Sequence, residues 1–277
     1  MNRKHLGWKK PNTEQQIRAL RGAQPEARNS GLFTVKATGY AAIPRASLPS
    51  PVLNQLNLGS CTAQGWALAL YVAMIKQGLA PFVAARLAIY YGERALEGRT
   101  AVDAGAAIAD GAVFLASYGV PKESDWPYDV SKFSVAPGPT VAHDAYDGRG
   151  EVKVNYHPIS STGKQLIADV GDSVASGFVP VFGCPVTEAF CSSQPSGTIH
   201  APTSEVQIAG GHAEGIVAYD PANESVIVQN SWGPDWGDSD PALPRGCWRM
   251  GFDYLTSPNY GASDVWIISS LPGGVGQ

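Results

Sequence analysis

Helix-type patterning fills one part of this chain and strand-type patterning another, and the two are segregated along the sequence. From Cys61 to about Gly119 apolar residues recur at helical spacing. Ala63, Trp66, Ala67, Leu70, Val72, Ala73 and Met74 form one long apolar face, with Gly78 as its stop. Residues 82–96 read as a second helix and residues 104–118 as a third that ends at Gly119. A proline-rich stretch over 121–139 follows. After Gly150 short β-branched runs take over, at 151–157, 179–186, 206–208, 213–219, 225–229, 247–250 and 265–269, interrupted by one helix near 163–176. Helices first and strands later predict an α+β fold of two lobes, 46–150 mainly helical and 151–277 mainly β.

The first 45 residues differ from this body. They carry nine basic side chains against Glu14 and Glu26, a net of +7 in a chain whose overall charge is −4, so residues 46–277 carry −11. Halves of opposite sign point to a basic arm (1–45) that binds something acidic, and the body (46–277) is itself a candidate. Thr13-Glu14-Gln15-Gln16 resembles a capping box and Gly22 can end the helix it starts. That helix is short and mostly polar, so it needs another surface to be stable. Residues 23–51 read as extended chain. Trp8 is the one aromatic near the basic groups at the start of the arm, which argues against nucleic-acid binding.

Composition excludes other classes. Hydrophobic residues at 44% and charged residues at 16% do not suit a disordered chain. The longest apolar stretch, residues 65–75, is too short to span a bilayer. No apolar run follows the basic start, so no secretory signal is expected, and the location expected is the cytoplasm, or release by lysis or a dedicated route. Four cysteines are too few for a disulfide framework. Cys184, Cys191 and Cys247 read as buried free thiols, with a disulfide as the next reading, since a zinc set completed by His200 matches no standard spacing; no metal or other cofactor is expected. His143 and His157 read as surface residues.

The chemistry concentrates in three segments. In Gln55-Leu-Asn-Leu-Gly59-Ser60-Cys61 a cysteine sits where a turn enters a helix. The positive end of the helix dipole favours thiolate there, the nucleophilic form. The Gln55 amide, six residues upstream, can join the Cys61 N–H as a second oxyanion donor. Gly210-Gly211-His212-Ala213 places a histidine at the head of a strand. Asn230, opening Asn-Ser-Trp232-Gly-Pro-Asp-Trp236-Gly, can fix the orientation and tautomer of that imidazole while Trp232 shields the bond; Trp236 reads as structural.

These segments, in this order, resemble the papain-like cysteine peptidases. Cys61 and His212 are 151 residues apart, against the family's roughly 130–150. Arg86-Leu-Ala-Ile-Tyr90-Tyr91, Tyr118-Gly-Val, Trp126-Pro-Tyr128 and Gly246-Cys-Trp-Arg-Met250 resemble prokaryotic and viral members further, so the likeness covers about residues 48–270. The resemblance implies a cleft between a helical lobe and an antiparallel β-barrel-like lobe. It also implies acyl transfer by Cys61, His212, Asn230 and Gln55 on a protein or peptide substrate, and no cofactor. Gly210, Gly211 and Ala213 would line the substrate cleft, with Asp103–Gly105 and Cys184 nearby. Departures from the family pattern are Leu58 where a disulfide cysteine often stands, Thr62 where an aromatic follows the nucleophile, and Glu214 two residues after His212. On a strand Glu214 shares the face of His212, where it can raise the histidine's pKa or reach solvent. Peptidases of this type are commonly held inactive by their own N-terminal segment, which makes the arm a candidate intramolecular inhibitor. Two other readings stay open: a catalytically silent papain-like module for binding or assembly, and a transamidase or deamidase using the same nucleophile.

Overall fold

The structure is a computed structural model that describes residues 5–138, 141, 154–192 and 194–271. His143 and the start of the strand expected over 151–157 lie outside the described residues.

The helical lobe is built on α2 (Cys61–Lys76), of which 13 of 16 residues are buried. A helix apolar on every side belongs inside the molecule, and α2 lies between the other helices and the sheet. It ends at Gln77 and the left-handed Gly78, as the sequence indicates. Gly65 permits the close approach of α2 to the sheet: a Cβ there would come within 2.8 Å of Val181. α3 (Arg86–Leu96) and α4 (Ile108–Tyr118) pack on each other and on α2. Both start four residues later than their apolar spacing predicts. Residues 82–85 and 104–107 stay outside the helices because their backbones have other partners: Ala85 N–H donates to Pro121 O at 2.8 Å and Ala106 N–H to Gly7 O at 2.7 Å.

The β lobe is one open sheet. Its strands are β1 (Ala41–Ala42), β2 (Asn155–Pro158), β3 (Val181–Thr187), β4 (Thr198–Ile199), β5 (Ile208–Asp220), β6 (Ser225–Gln229), β7 (Cys247–Gly251) and β8 (Ser263–Ser270), in the order β2-β8-β3-β5-β6-β7-β4, with β1 on β5. All pairs are antiparallel except β4 with β7. Alternate residues supply two cores. Val181, Ala213, Val217, Ile227 and Ile268 face the helices. Phe182, Ile216, Val226, Val228 and Ile267 face away, covered by α5 (Gly163–Ala175). The two strands expected over 206–208 and 213–219 are one strand, β5, and His212 lies within it rather than at its head. His157 is buried, not on the surface; its ring nitrogens meet Pro25 O at 2.7 Å and Ser269 Oγ at 2.8 Å.

The arm lies on the body. α1 (Thr13–Gly22) is capped by Asn12, one residue before the expected Thr13, in a reciprocal box with Gln15. The surface its polar face needs is α4, where Arg18 and Gln15 both reach Asp110 at 2.6 Å; before α1, Lys9 pairs with Glu97 at the end of α3 at 3.3 Å. Further along, Lys36 bonds Asp172 and β1 pairs with the end of the central strand β5. The acidic partners of the basic arm thus include groups of the chain's own body. Among the described residues no helix is long and apolar enough to cross a membrane.

Candidate active site

Cys61 is the first residue of α2 and is fully buried. The backbone N–H groups of Ala213, Gly7 and Thr62 lie beside its sulfur and favour the thiolate. Ala213 thus places the thiol of the helical lobe next to the residue beside His212 in β5. His212 is also fully buried, and its Nε2 lies 2.8 Å from Asn230 Oδ1. Asn230 Oδ1 also accepts the Ser231 N–H at 2.6 Å, which fixes it as the acceptor. An amide oxygen can only accept, so Nε2 carries the ring's proton in neutral imidazole and Nδ1 holds the free lone pair. Among the described residues Nδ1 has no hydrogen-bond partner. Trp232 stacks on the imidazole, ring centres 4.7 Å apart, and Trp236 meets Trp232 edge-on at 4.9 Å, so the predicted shield has its own structural support.

Gln55 is placed by both lobes. Its N–H donates to Ser231 O at 2.8 Å and its Oε1 accepts Ser231 Oγ–H at 2.8 Å, which ties it to the segment holding Asn230. Tyr128 Oη donates to Gln55 O at 2.9 Å and meets Ser60 Oγ at 2.6 Å. The Arg86 guanidinium stacks over Tyr128 and forks onto Glu123, while also bonding Gln64 Oε1 at 2.8 Å. Tyr90 bonds Asp103, which accepts the Gly59 N–H at 3.1 Å just before Cys61. The Arg-Leu-Ala-Ile-Tyr and Trp-Pro-Tyr motifs therefore brace the loop that carries Gln55 and Cys61.

The arm passes through this site. Gln55 Nε2 donates to His5 O at 2.8 Å. Gly7 is pressed between Gly59 and Gly105, where its own Cβ would fall 1.8 Å from Gly59 O. Trp8 is 7% exposed. Its N–H donates to Gly211 O at 3.0 Å, and its backbone pairs in parallel with Ala106. Its indole lies in a slot between β3 and β5: a Cβ on Gly183 would come within 2.0 Å of the ring, and one on Gly211 within 2.2 Å of Trp8 O. At the slot's end Trp8 Nε1 donates to Asp264 Oδ2 at 3.3 Å. Leu6 lies against Gly210. The predicted cleft residues Gly210, Gly211 and Ala213 are thus the ones that touch Leu6, Trp8 and Cys61.

Electrostatically the site is at rest. Burial pushes the Cys61 thiol up to about 12 and His212 down to about 4, the Asn230 bond opposing the latter. Both groups are neutral near pH 7. The thiolate expected from the helix terminus is outweighed here by desolvation. Thr62 donates to the buried Glu93 at 2.7 Å, which accounts for a hydroxyl in place of an aromatic ring. Glu214 does not reach solvent; it is buried beside His212. Sequence reasoning misses Asp264 and the role of Trp8. The only signal for Trp8 is a large aromatic standing among the polar and basic residues at the start of the arm.

No family model matches the chain. The chain is 37% identical over 226 residues to an uncharacterized peptidase C1-like protein of Acanthamoeba polyphaga mimivirus, covering 79% of this chain and 70% of that protein. Xylellain, a cysteine protease from Xylella fastidiosa, superposes with a TM-score of 0.77 at 27% identity over 98% of both chains. Procathepsin B from Trypanosoma congolense shares the fold at 13% identity, with a TM-score of 0.67 over 97% of this chain and 87% of that one. The viral relative matches over most of its length and the fold is shared with these proteases: the chain belongs to the papain-like, C1-type cysteine peptidases, hydrolases acting on peptide bonds.

Proposed function

We propose that the chain is a thiol endopeptidase whose nucleophile is Cys61 and whose acid–base group is His212, oriented by Asn230. One observation carries the reading: the His212–Asn230 bond commits Nε2 as donor and leaves Nδ1 as the free base in the site that holds the thiol. Proton transfer from Cys61 to Nδ1 gives thiolate and imidazolium. The thiolate attacks the scissile carbonyl, and the oxyanion is held by the Cys61 N–H and Gln55 Nε2. The imidazolium protonates the leaving amine, and neutral His212 then activates water to release the acyl group. Replacing Gln55 by alanine is expected to lower kcat by about 10²–10³-fold with little change in KM, read from initial rates on a fluorogenic peptide. An unchanged kcat would remove Gln55 from the oxyanion site.

The second part of the proposal is that the arm inhibits its own chain. It gives the Gln55 amide an acceptor, the His5 carbonyl, and sets the Gly7 N–H beside the Cys61 sulfur, so the arm covers both groups. Its removal opens the Trp8 slot to a substrate side chain. That slot ends at Asp264, which also accepts Trp266 Nε1–H at 2.7 Å and Ile108 N–H at 2.9 Å. Burial raises Asp264 to about 6, so it is ionised above that pH. Side chains with a donor at the tip, arginine and lysine above all, are therefore expected to outperform leucine in this slot at pH 7. Asp264→Asn should cut the arginine-to-leucine ratio of kcat/KM by about tenfold in a positional peptide library. A ratio that does not move would exclude Asp264 as the discriminating group.

A further inference from the structure

Glu214 has no part in the steps above, yet it faces His212 from inside the β lobe. Its side chain is fully buried. Oε1 accepts the Trp248 Nε1–H at 3.0 Å, while Oε2 has no hydrogen-bond partner among the described residues. Oε1 lies 3.9 Å from His212 Nε2. That is too long for a hydrogen bond but close enough for strong attraction in a buried site. The Nε2 proton is already given to Asn230, so Glu214 can act on the ring only through charge.

Its surroundings limit what that charge can answer to. From β3 Cys184 faces it, from β7 Cys247, and beyond them Tyr254; burial above all, and the Glu214 charge after it, holds each of these groups more firmly protonated. The α2 side contributes Gly65 and Leu68, and β6 leads into Asn230. Among the described residues no lysine or arginine pairs with Glu214. The nearby cation that can form is the His212 imidazolium.

We propose that Glu214 is a positioning residue for His212, whose carboxylate holds the imidazole protonated on the alkaline side of the working range while Asn230 sets the ring's orientation. The inference rests on the peptidase reading above, because only a catalytic cycle needs imidazolium here. The direction follows from burial, which raises the Glu214 carboxyl to about 8. Below that pH Glu214 is neutral and leaves the Cys61–His212 equilibrium alone. As pH rises through it, the new negative charge opposes loss of the imidazolium proton, and the alkaline fall in activity moves upward. Asn230 alone has no charge to give.

The test compares pH profiles of kcat/KM in the full-length Trp8→Ala chain with and without Glu214→Gln. Glutamine keeps the size and an acceptor for Trp248. The alkaline limb is expected to fall by at least about one pH unit, with the acid limb in place and rates near pH 6 within about threefold. Glu214→Asp, which keeps the charge and shortens the reach to Trp248, is expected to retain the limb. Superimposed profiles with and without Glu214→Gln would overturn the proposal. A second readout needs no turnover: in the Trp8→Ala chain, where the Cys61 thiolate carries the imidazolium into the alkaline range in which Glu214 is charged, the imidazole NMR titration of His212 should shift to lower pH on Glu214→Gln, and an identical titration would also overturn it. An inactive Trp8→Ala chain whose His212 titration still depends on Glu214 would sink the peptidase mechanism and leave the coupling standing.

Discussion

Replacing Cys61 by alanine is expected to lower kcat/KM on a peptide substrate by at least about 10⁴-fold, the loss typical when the nucleophile of a concerted constellation is removed. The fold should survive it. Cys61 is buried at the start of a helix whose packing rests on Trp66, Leu70 and Met74, and alanine is a good helix former. His212→Ala should cost about as much, since each member is useless without the other, and the double variant should be scarcely worse than either single one. Asn230→Ala should cost less, because the ring loses its orientation but keeps its base. Initial rates paired with melting curves check this. Activity surviving in Cys61→Ala would return the chain to a silent module carrying a contaminant's activity.

The arm variant has the second largest effect, in the opposite direction. Trp8→Ala in the full-length chain should raise kcat/KM on a small peptide by about 30- to 1,000-fold. That range converts the roughly 2–4 kcal/mol that a buried tryptophan anchor is worth. Trp8 fills a slot shaped by two glycines and bonds Asp264, whereas Leu6 only borders Gly210. Leu6→Ala should therefore do less. Salt should mimic the change only in part. The Lys9–Glu97 pair is partly exposed and can be screened, but Arg18 meets an Asp110 carboxylate with no exposed side-chain surface. A progress curve at low and high ionic strength on the full chain separates the two contributions. Unaltered rates in Trp8→Ala would mean that the arm is a tether rather than an inhibitor.

The four catalytic candidates are legible in the sequence because acyl transfer needs those residue types, and the motifs around them admit little else. Gly210-Gly211 shows how the same reading misleads. It looks like a turn that opens a strand, whereas both glycines sit within β5 and are bare so that Leu6 and Trp8 can lie on them. The non-helical stretches before α3 and α4 share the apolar spacing of the helices they precede. Distant partners, Pro121 for one and Gly7 for the other, hold them out of the helix, and before α4 the left-handed Gly105 adds to this. Trp8 and Asp264 stand 256 residues apart, and no local pattern links them. The thiol's protonation escapes the sequence for a related reason: the helix terminus is visible locally, but the burial that overrides it is supplied by the arm and by β5.

The most direct measurement is the rate at which iodoacetamide modifies each of the four thiols, followed by mass spectrometry in the full chain and in Trp8→Ala. A neutral, covered Cys61 should react slowly in the full chain. In Trp8→Ala it should react at least about tenfold faster than in the full chain and far ahead of Cys184, Cys191 and Cys247. Equal rates at all four thiols in Trp8→Ala, or a Cys61 rate that the substitution does not change, would contradict an activated nucleophile held at rest beneath the arm.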